Sequence, residues 1–211
     1  RFGRIVRANP ERNARFRQWR ALSFVGAGQL DSAAVELGEL LADLRENDEV
    51  HISYYYESKA LQEYALGMLH DARGSPAEAR RAYERALEED LAMYPAHLGL
   101  ARLSLRERRA AQAVEHLAQA VEVAPDDGVV HFEYGNALMA ANRRDDAIAA
   151  YQRAIQLERY WADPYLRLGI ALENAGQPAE AAAAYRAYLQ RAPRRAVADI
   201  QRATQRLSSL P

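Results

Sequence analysis

The sequence predicts an all-α fold, built as an array of helical repeats, on three observations. A period of 34 residues runs from Ala60 through Tyr94 and Gly128 to Ala162 without insertion or deletion. Within it a small residue returns at the eighth place (Gly67, Ala101, Gly135, Gly169) and alanine at the twentieth (Ala79, Ala113, Ala147, Ala181). A ring or leucine returns at the twenty-fourth place: Tyr83, Leu117, Tyr151 and Tyr185. Self-similarity at this period marks units that cannot bury their apolar faces alone and stack on one another. Two helices approach to about 8–9 Å only where one of them presents Gly or Ala at the crossing. The large residue then fills the space beside that crossing.

Taken in chain order, residues 1–13 form an arginine-rich segment. Arg1, Arg4, Arg7, Arg12, Arg15, Arg17 and Arg20 crowd the first twenty positions, with Glu11 the only acid and Phe2, Phe16 and Trp19 interleaved. Three readings stay open: a flank drawn to acidic lipid, a contact for an acidic partner, and a solvated helix start that packs through its aromatics. Residues 14–47 read as a degenerate unit, because Ala27 to Ala33 mirrors the turn between Asn174 and Ala181. Residues 48–93 form a unit whose first helix is expected to be extended. The twelve extra residues, Asp48–Lys59, hold Tyr54, Tyr55 and Tyr56 and no proline or glycine.

Residues 94–127 and 128–161 are the next two units. The last, 162–195, shows the internal grammar. Leu166, Leu168, Ile170 and Leu172 belong to its first helix, and Asn174 to Pro178 is the turn. Gly176 supplies the positive φ that ends a helix. Pro178 falls at the first helical position, where a missing N–H costs nothing. Ala181, Tyr185, Tyr188 and Leu189 follow at helical spacing, and Pro193 stops the second helix. Residues 196–211 form a capping helix and tail. Val197, Ile200, Ala203 and Leu207 share one face, and Arg195, Asp199, Arg202 and Arg206 form the other, expected to face solvent.

Leu66-Gly67 with Ala79, Tyr83 and Ala86, Tyr134-Gly135 with Ala147, Tyr151 and Ala154, and Leu168-Gly169 with Ala181, Tyr185 and Pro193 resemble the tetratricopeptide repeat (TPR) family. The strict match covers about two-thirds of the chain. The fourth place, where the family prefers tryptophan, holds Glu63, His97, His131 and Tyr165, and Tyr188 replaces an alanine at the twenty-seventh. The resemblance implies a right-handed superhelical solenoid of helix-turn-helix repeats. It also implies that the first helices line a concave groove. Carried over to this chain, the groove places hold Leu61, Tyr64, Met68, Leu98, Arg102, Leu105, Phe132, Asn136, Met139, Leu166 and Ile170. That set is markedly apolar. Either it is hidden between neighbouring first helices, or it forms an adaptable surface for a partner's helix or extended segment.

The resemblance implies a non-catalytic scaffold or adaptor that binds a partner protein or peptide segment. The alternatives are a permanently bound structural subunit of a larger bacterial complex, membrane-associated or not, and a regulatory domain of an enzyme. One family subgroup binds chaperone C-terminal carboxylates through a clamp of lysine, asparagine and arginine. Here Asn136 occupies one clamp place, but Phe132 stands where the lysine belongs and Glu133 places an anion nearby. That argues against a chaperone-tail co-adaptor.

Bulk properties exclude other classes. A formal net charge of −1 gives no basic field for nucleic acid. The absence of cysteine excludes disulfides, thiolate metal sites and cysteine nucleophiles. His51, His70, His97, His116 and His131 form no pair with metal-ligand spacing. No phosphate-binding glycine loop or nucleophile elbow occurs. Asp126-Asp127 and Asp145-Asp146 sit at helix starts, where the helix dipole favours negative charge. The sequence thus predicts no enzyme, no metal and no cofactor. No run of apolar residues is long enough to span a membrane, so membrane contact would run through the arginine-rich start. Lys59 is the only lysine among 28 basic residues, a bias expected of a GC-rich bacterial source. A soluble bacterial protein is expected, with the cytoplasm preferred over the periplasm or a membrane tether.

Overall fold

Helices alone make up the regular structure of the described residues. The computed structural model describes residues 10–50 and 59–210, with side chains over 16–45 and 59–210. The helices are α1 (Pro10–Gly26), α2 (Leu30–Val50), α3 (Lys59–Ala72), α4 (Pro76–Glu89), α5 (Tyr94–Arg106) and α6 (Ala110–Val123). They continue with α7 (Gly128–Ala140), α8 (Arg144–Leu157), α9 (Asp163–Asn174), α10 (Pro178–Arg191) and α11 (Val197–Ser209). This is an all-α helical-repeat solenoid. Asp48–Val50 belong to α2 and not, as expected, to the first helix of the next unit, and residues 51–58 lie outside the described residues. Nothing in 48–50 breaks α2, since residues 44–50 include no Gly or Pro. Tyr54, Tyr55 and Tyr56, together with His51, lie outside the described residues, as do Arg1, Arg4, Arg7 and Phe2.

The chain divides into two bodies, residues 1–100 and 101–211. In the first, α1 packs on α2, α2 on α3 and α3 on α4. Its core gathers Ala21, Ala33, Leu37, Leu40, Leu41, Leu66 and Leu69, with Phe24, Leu30 and Leu44 partly buried against them. Arg17 of α1 pairs with Glu39 and, at 3.3 Å, with Asp43 of α2, while Arg20 reaches Glu36 at 3.0 Å. The Tyr83 ring of α4 is clamped between two glycines. A Cβ built on Gly67 would lie 2.5 Å from one edge of that ring, and one on Gly99 would lie 2.6 Å from its tip. Only a bare backbone admits the ring from both sides.

In the second body each helix packs on its sequence neighbour from α6 to α11, and α7 also touches α9, the first helix of the next repeat. The same glycine–tyrosine contact recurs. A Cβ on Gly135 would meet the Tyr151 ring at 2.6 Å, and one on Gly169 would meet Tyr185 at 2.6 Å. Tyr151, Tyr185 and Tyr188 are almost fully buried. Where the pattern substitutes Ala101 for glycine it substitutes Leu117 for tyrosine, and both are buried.

The turns share one device. Gly28, Gly74 and Gly176 have φ near +72°, and Arg108 and Asn142 take φ +61° at the matching place. At each, two backbone bonds close the helix end. Gly176 N donates to the Glu173 carbonyl (3.0 Å) and Gln177 N to that of Leu172 (2.9 Å). Arg108 N and Arg109 N do the same to Leu105 (3.1 Å) and Ser104 (2.8 Å). This is the Schellman arrangement, which uses carbonyls that would otherwise lack partners. Pro76 and Pro178 then open α4 and α10 at their first turns.

The fourth-place residues turn out to be internal anchors. His131 donates from Nε2 to the Pro125 carbonyl at 2.8 Å, and Tyr165 donates its hydroxyl to the Arg159 carbonyl at 3.0 Å. Each ties its helix to the linker six residues back. Glu63, fully buried, faces Arg45 and, at 2.9 Å, Arg85. Among the acids at helix starts, Asp127 caps α7 by accepting from Val129 N (2.8 Å) and Val130 N (3.2 Å). Asp126 pairs with Arg153 and Asp146 with Arg143.

Candidate interaction site

The expected groove residues are distributed over both bodies. In the first, Leu61 is 51% and Met68 47% exposed, while Tyr64 and Leu98 are half-buried. The Tyr64 ring lies 5.9 Å from that of Tyr83. In the second, Arg102 is exposed, Leu105, Phe132, Asn136, Met139 and Ile170 are half-buried, and Leu166 is buried.

The two polar members of that set are engaged within the fold. Arg102 pairs with Glu133 at 2.9 Å. Asn136 donates to Glu133 at 3.3 Å and accepts the Tyr151 hydroxyl at 2.9 Å. The Tyr151 hydroxyl is held well above its ordinary value, chiefly because burial disfavours the phenolate. Its role is that of a neutral donor that orients Asn136.

Three apolar members meet in one place. A cleft of about 330 Å³ is lined by Phe132 of α7, by Asp163, Leu166, Arg167 and Ile170 of α9, and by Asp199, Arg202 and Arg206 of α11. The floor is fixed by aromatic packing. Phe132 lies 4.6 Å from the Trp161 ring and 6.0 Å from Tyr151, centroid to centroid. Trp161 in turn donates from Nε1 to Asp163 at 3.3 Å.

The charged wall is largely self-paired. Arg202 pairs with Asp199. Arg206 reaches Glu173 at 2.9 Å, and the Tyr185 hydroxyl donates to the same carboxylate at 2.7 Å. The Tyr185 bond first, and Arg206 with it, hold the Glu173 carboxyl below the usual carboxylate range. Arg167 makes no ion pair among the described residues. On the polar side of the cap, Arg202 is exposed and Asp199 and Arg206 are half-buried, and all three also border this cleft. Amphipathic periodicity separates the two sides of α11 but does not say that the polar side borders an apolar floor supplied by α7 and α9.

A second groove of about 540 Å³ has no counterpart in the sequence expectations. Ile148 and Ile155 of α8, Leu168 and Leu172 of α9, and Ala183 and Ala187 of α10 line its apolar part. Its signal in the sequence is the alanine run of α10, which leaves a shallow wall.

Among the described residues no group of three or more His, Cys, Asp or Glu is placed to hold a metal ion. None of the described helices is long and apolar enough to cross a membrane.

Residues 72–131, 104–160 and 165–194 match family models described as tetratricopeptide repeat, together more than half of the chain. The chain belongs to the tetratricopeptide repeat family. A curated relative, the Hsp70-Hsp90 organizing protein of Triticum aestivum, is 36% identical over 74 residues. That match covers 35% of this chain and 13% of the relative's length. Among solved structures, YrrB, a TPR protein with an unusual peptide-binding site, superposes with a TM-score of 0.72 at 17% identity. It covers 96% of this chain and 97% of its own. MamA from Desulfovibrio magneticus RS-1 gives 0.71 at 16%, over 84% of this chain and 93% of its own. At such identities the likeness establishes the fold alone.

Proposed function

We propose that the protein is a non-catalytic interaction scaffold that holds a segment of another protein in the cleft between α7, α9 and α11. The observation that carries this reading is the cleft's composition: an apolar floor of Phe132, Leu166 and Ile170 beside a charged wall. Pockets of this kind take an apolar anchor and fix its orientation with a few polar groups. Arg167, without an ion-pair partner among the described residues, adds a preference for a carboxylate on the bound segment. Family membership supports the same class of function. YrrB is described as having a peptide-binding site, and the wheat relative as an Hsp70-Hsp90 organizing protein. A chaperone-tail clamp is disfavoured here, because Asn136 is already committed to Tyr151 and Glu133.

The test is Ile170→Asp in the full chain. Ile170 is half-buried, so the helix tolerates the change while the floor gains a charge that a bound apolar anchor would desolvate. Proteins retained from an extract of the source cell by the wild-type chain should be lost by the variant at unchanged far-UV circular dichroism. Undiminished retention by a folded variant refutes the reading.

A further inference from the structure

Helix α1 turns large apolar residues away from its own body. Phe16 is 53% exposed, Trp19 74% and Leu22 67%. They recur every third residue, which places them along one flank of a helix. The opposite flank meets the packing demands of the first body. Ala21 is buried in its core, Phe24 packs against it, and Arg17 and Arg20 pair with the acids of α2. Single exposed apolar residues are ordinary on a protein surface, but a tryptophan flanked by Phe and Leu is a contiguous patch.

The sequence around that patch carries one sign of charge. Seven arginines and one acid occupy the first twenty positions of a chain whose net charge is −1. A basic start is thus joined to an acidic remainder. Arg17 and Arg20 serve the fold. The other five arginines are set against Glu11 alone within that stretch. In the sequence, Arg12 and Arg15 stand seven and four positions before Trp19.

We infer that this flank of α1 is a docking surface for an acidic lipid membrane. Indole has an apolar body and a polar N–H, and it settles at the headgroup boundary. Phe16 and Leu22 enter the outer acyl region beside it. Arginines are attracted by the negative surface potential of anionic lipid. An acidic protein would satisfy the arginines alone, whereas the headgroup boundary satisfies the arginines and the apolar wedge together. Such contact is peripheral, reversible and weakened by salt.

The experiment is co-sedimentation of the full chain with vesicles of phosphatidylcholine, with and without about a third phosphatidylserine. It is paired with Trp19 fluorescence in a Trp161→Phe background, which leaves Trp19 as the single indole. Binding to the acidic vesicles, a blue shift of Trp19 and release in high salt are expected. Trp19→Ser with Leu22→Ser, both at exposed positions, should abolish the binding while the melting temperature stays the same. Arg12→Gln with Arg15→Gln should weaken it about 30-fold, since each basic residue near anionic lipid contributes about a factor of five. Equal sedimentation with both vesicles, or binding that survives both double variants, overturns the inference. So does a Trp19 shift with polyglutamate but not with acidic vesicles, which would assign the flank to an acidic protein.

Discussion

Gly135→Ala perturbs the contact on which the repeat depends. The added Cβ would lie 2.6 and 2.7 Å from two carbons of the Tyr151 ring, where ordinary carbon contacts need about 3.5–4.0 Å. The ring has little room to retreat. It is 1% exposed, its hydroxyl is bound to Asn136 at 2.9 Å, and Phe132 packs beside it. Overpacking of this kind costs about 1–3 kcal/mol, and the overlap places it near the upper end. Alanine returns about 1 kcal/mol of helix propensity, so the net loss is about 2 kcal/mol. For a chain of this size that lowers the melting temperature by about 4–8 °C. Tyr151→Leu alone leaves a cavity and strips Asn136 of its donor, at about 3 kcal/mol.

The double variant recreates the Ala101 and Leu117 combination that the chain itself uses one repeat earlier. It should cost about 3 kcal/mol, well short of the roughly 5 expected from additivity, which is a coupling of about 2 kcal/mol. Equilibrium urea denaturation of the four proteins measures that coupling. A value under about 0.5 kcal/mol would refute the claim that ring and glycine are a matched pair.

Three further outcomes are expected. Arg108→Gly should raise stability by about 0.5–1 kcal/mol, because φ +61° strains an L-residue, and Gly176→Ala should lower it by a similar amount, both read by urea denaturation. Glu63→Gln should cost about 2 kcal/mol, because two arginines lose the charge of a buried carboxylate, whereas Arg153→Gln at an exposed pair should cost under about 0.5 kcal/mol. Glu173 is held below its ordinary carboxylate value in the fold. Its contribution is therefore present above the unfolded value and lost as pH falls through the folded one. Tyr185→Phe should raise the Glu173 titration midpoint seen by carboxyl NMR, and its destabilisation should be larger at pH 7 than at pH 3.

Much of the fold was legible because its signals are local and periodic. Gly135 and Gly169 announce close crossings, and Tyr151 and Tyr185 announce what fills them. Gly74 and Gly176 announce the turns. Arg108 and Asn142 were not legible as left-handed residues from their type; only their register with the glycines reveals them. Glu63 stands where the repeat prefers a large ring, and no local pattern indicates that Arg45 and Arg85 come from other helices to neutralise it. The cleft was half legible. Phe132, Leu166 and Ile170 follow from register, but Arg202 and Arg206 required knowing where α11 lands. The polar candidates Arg102 and Asn136 looked available in sequence, yet Glu133 and Tyr151 engage them.

The central claim, that the α7–α9–α11 cleft receives a segment of another protein, is tested most directly by photo-crosslinking in the source cell. A photoreactive phenylalanine analogue at position 170 is compared with one at the exposed position 152 of α8, which borders the second groove instead. A discrete adduct of higher mass is expected from position 170 alone, suppressed by Arg167→Glu in the same chain. Adducts of equal yield from both positions, or none from position 170 in a folded chain, would contradict it.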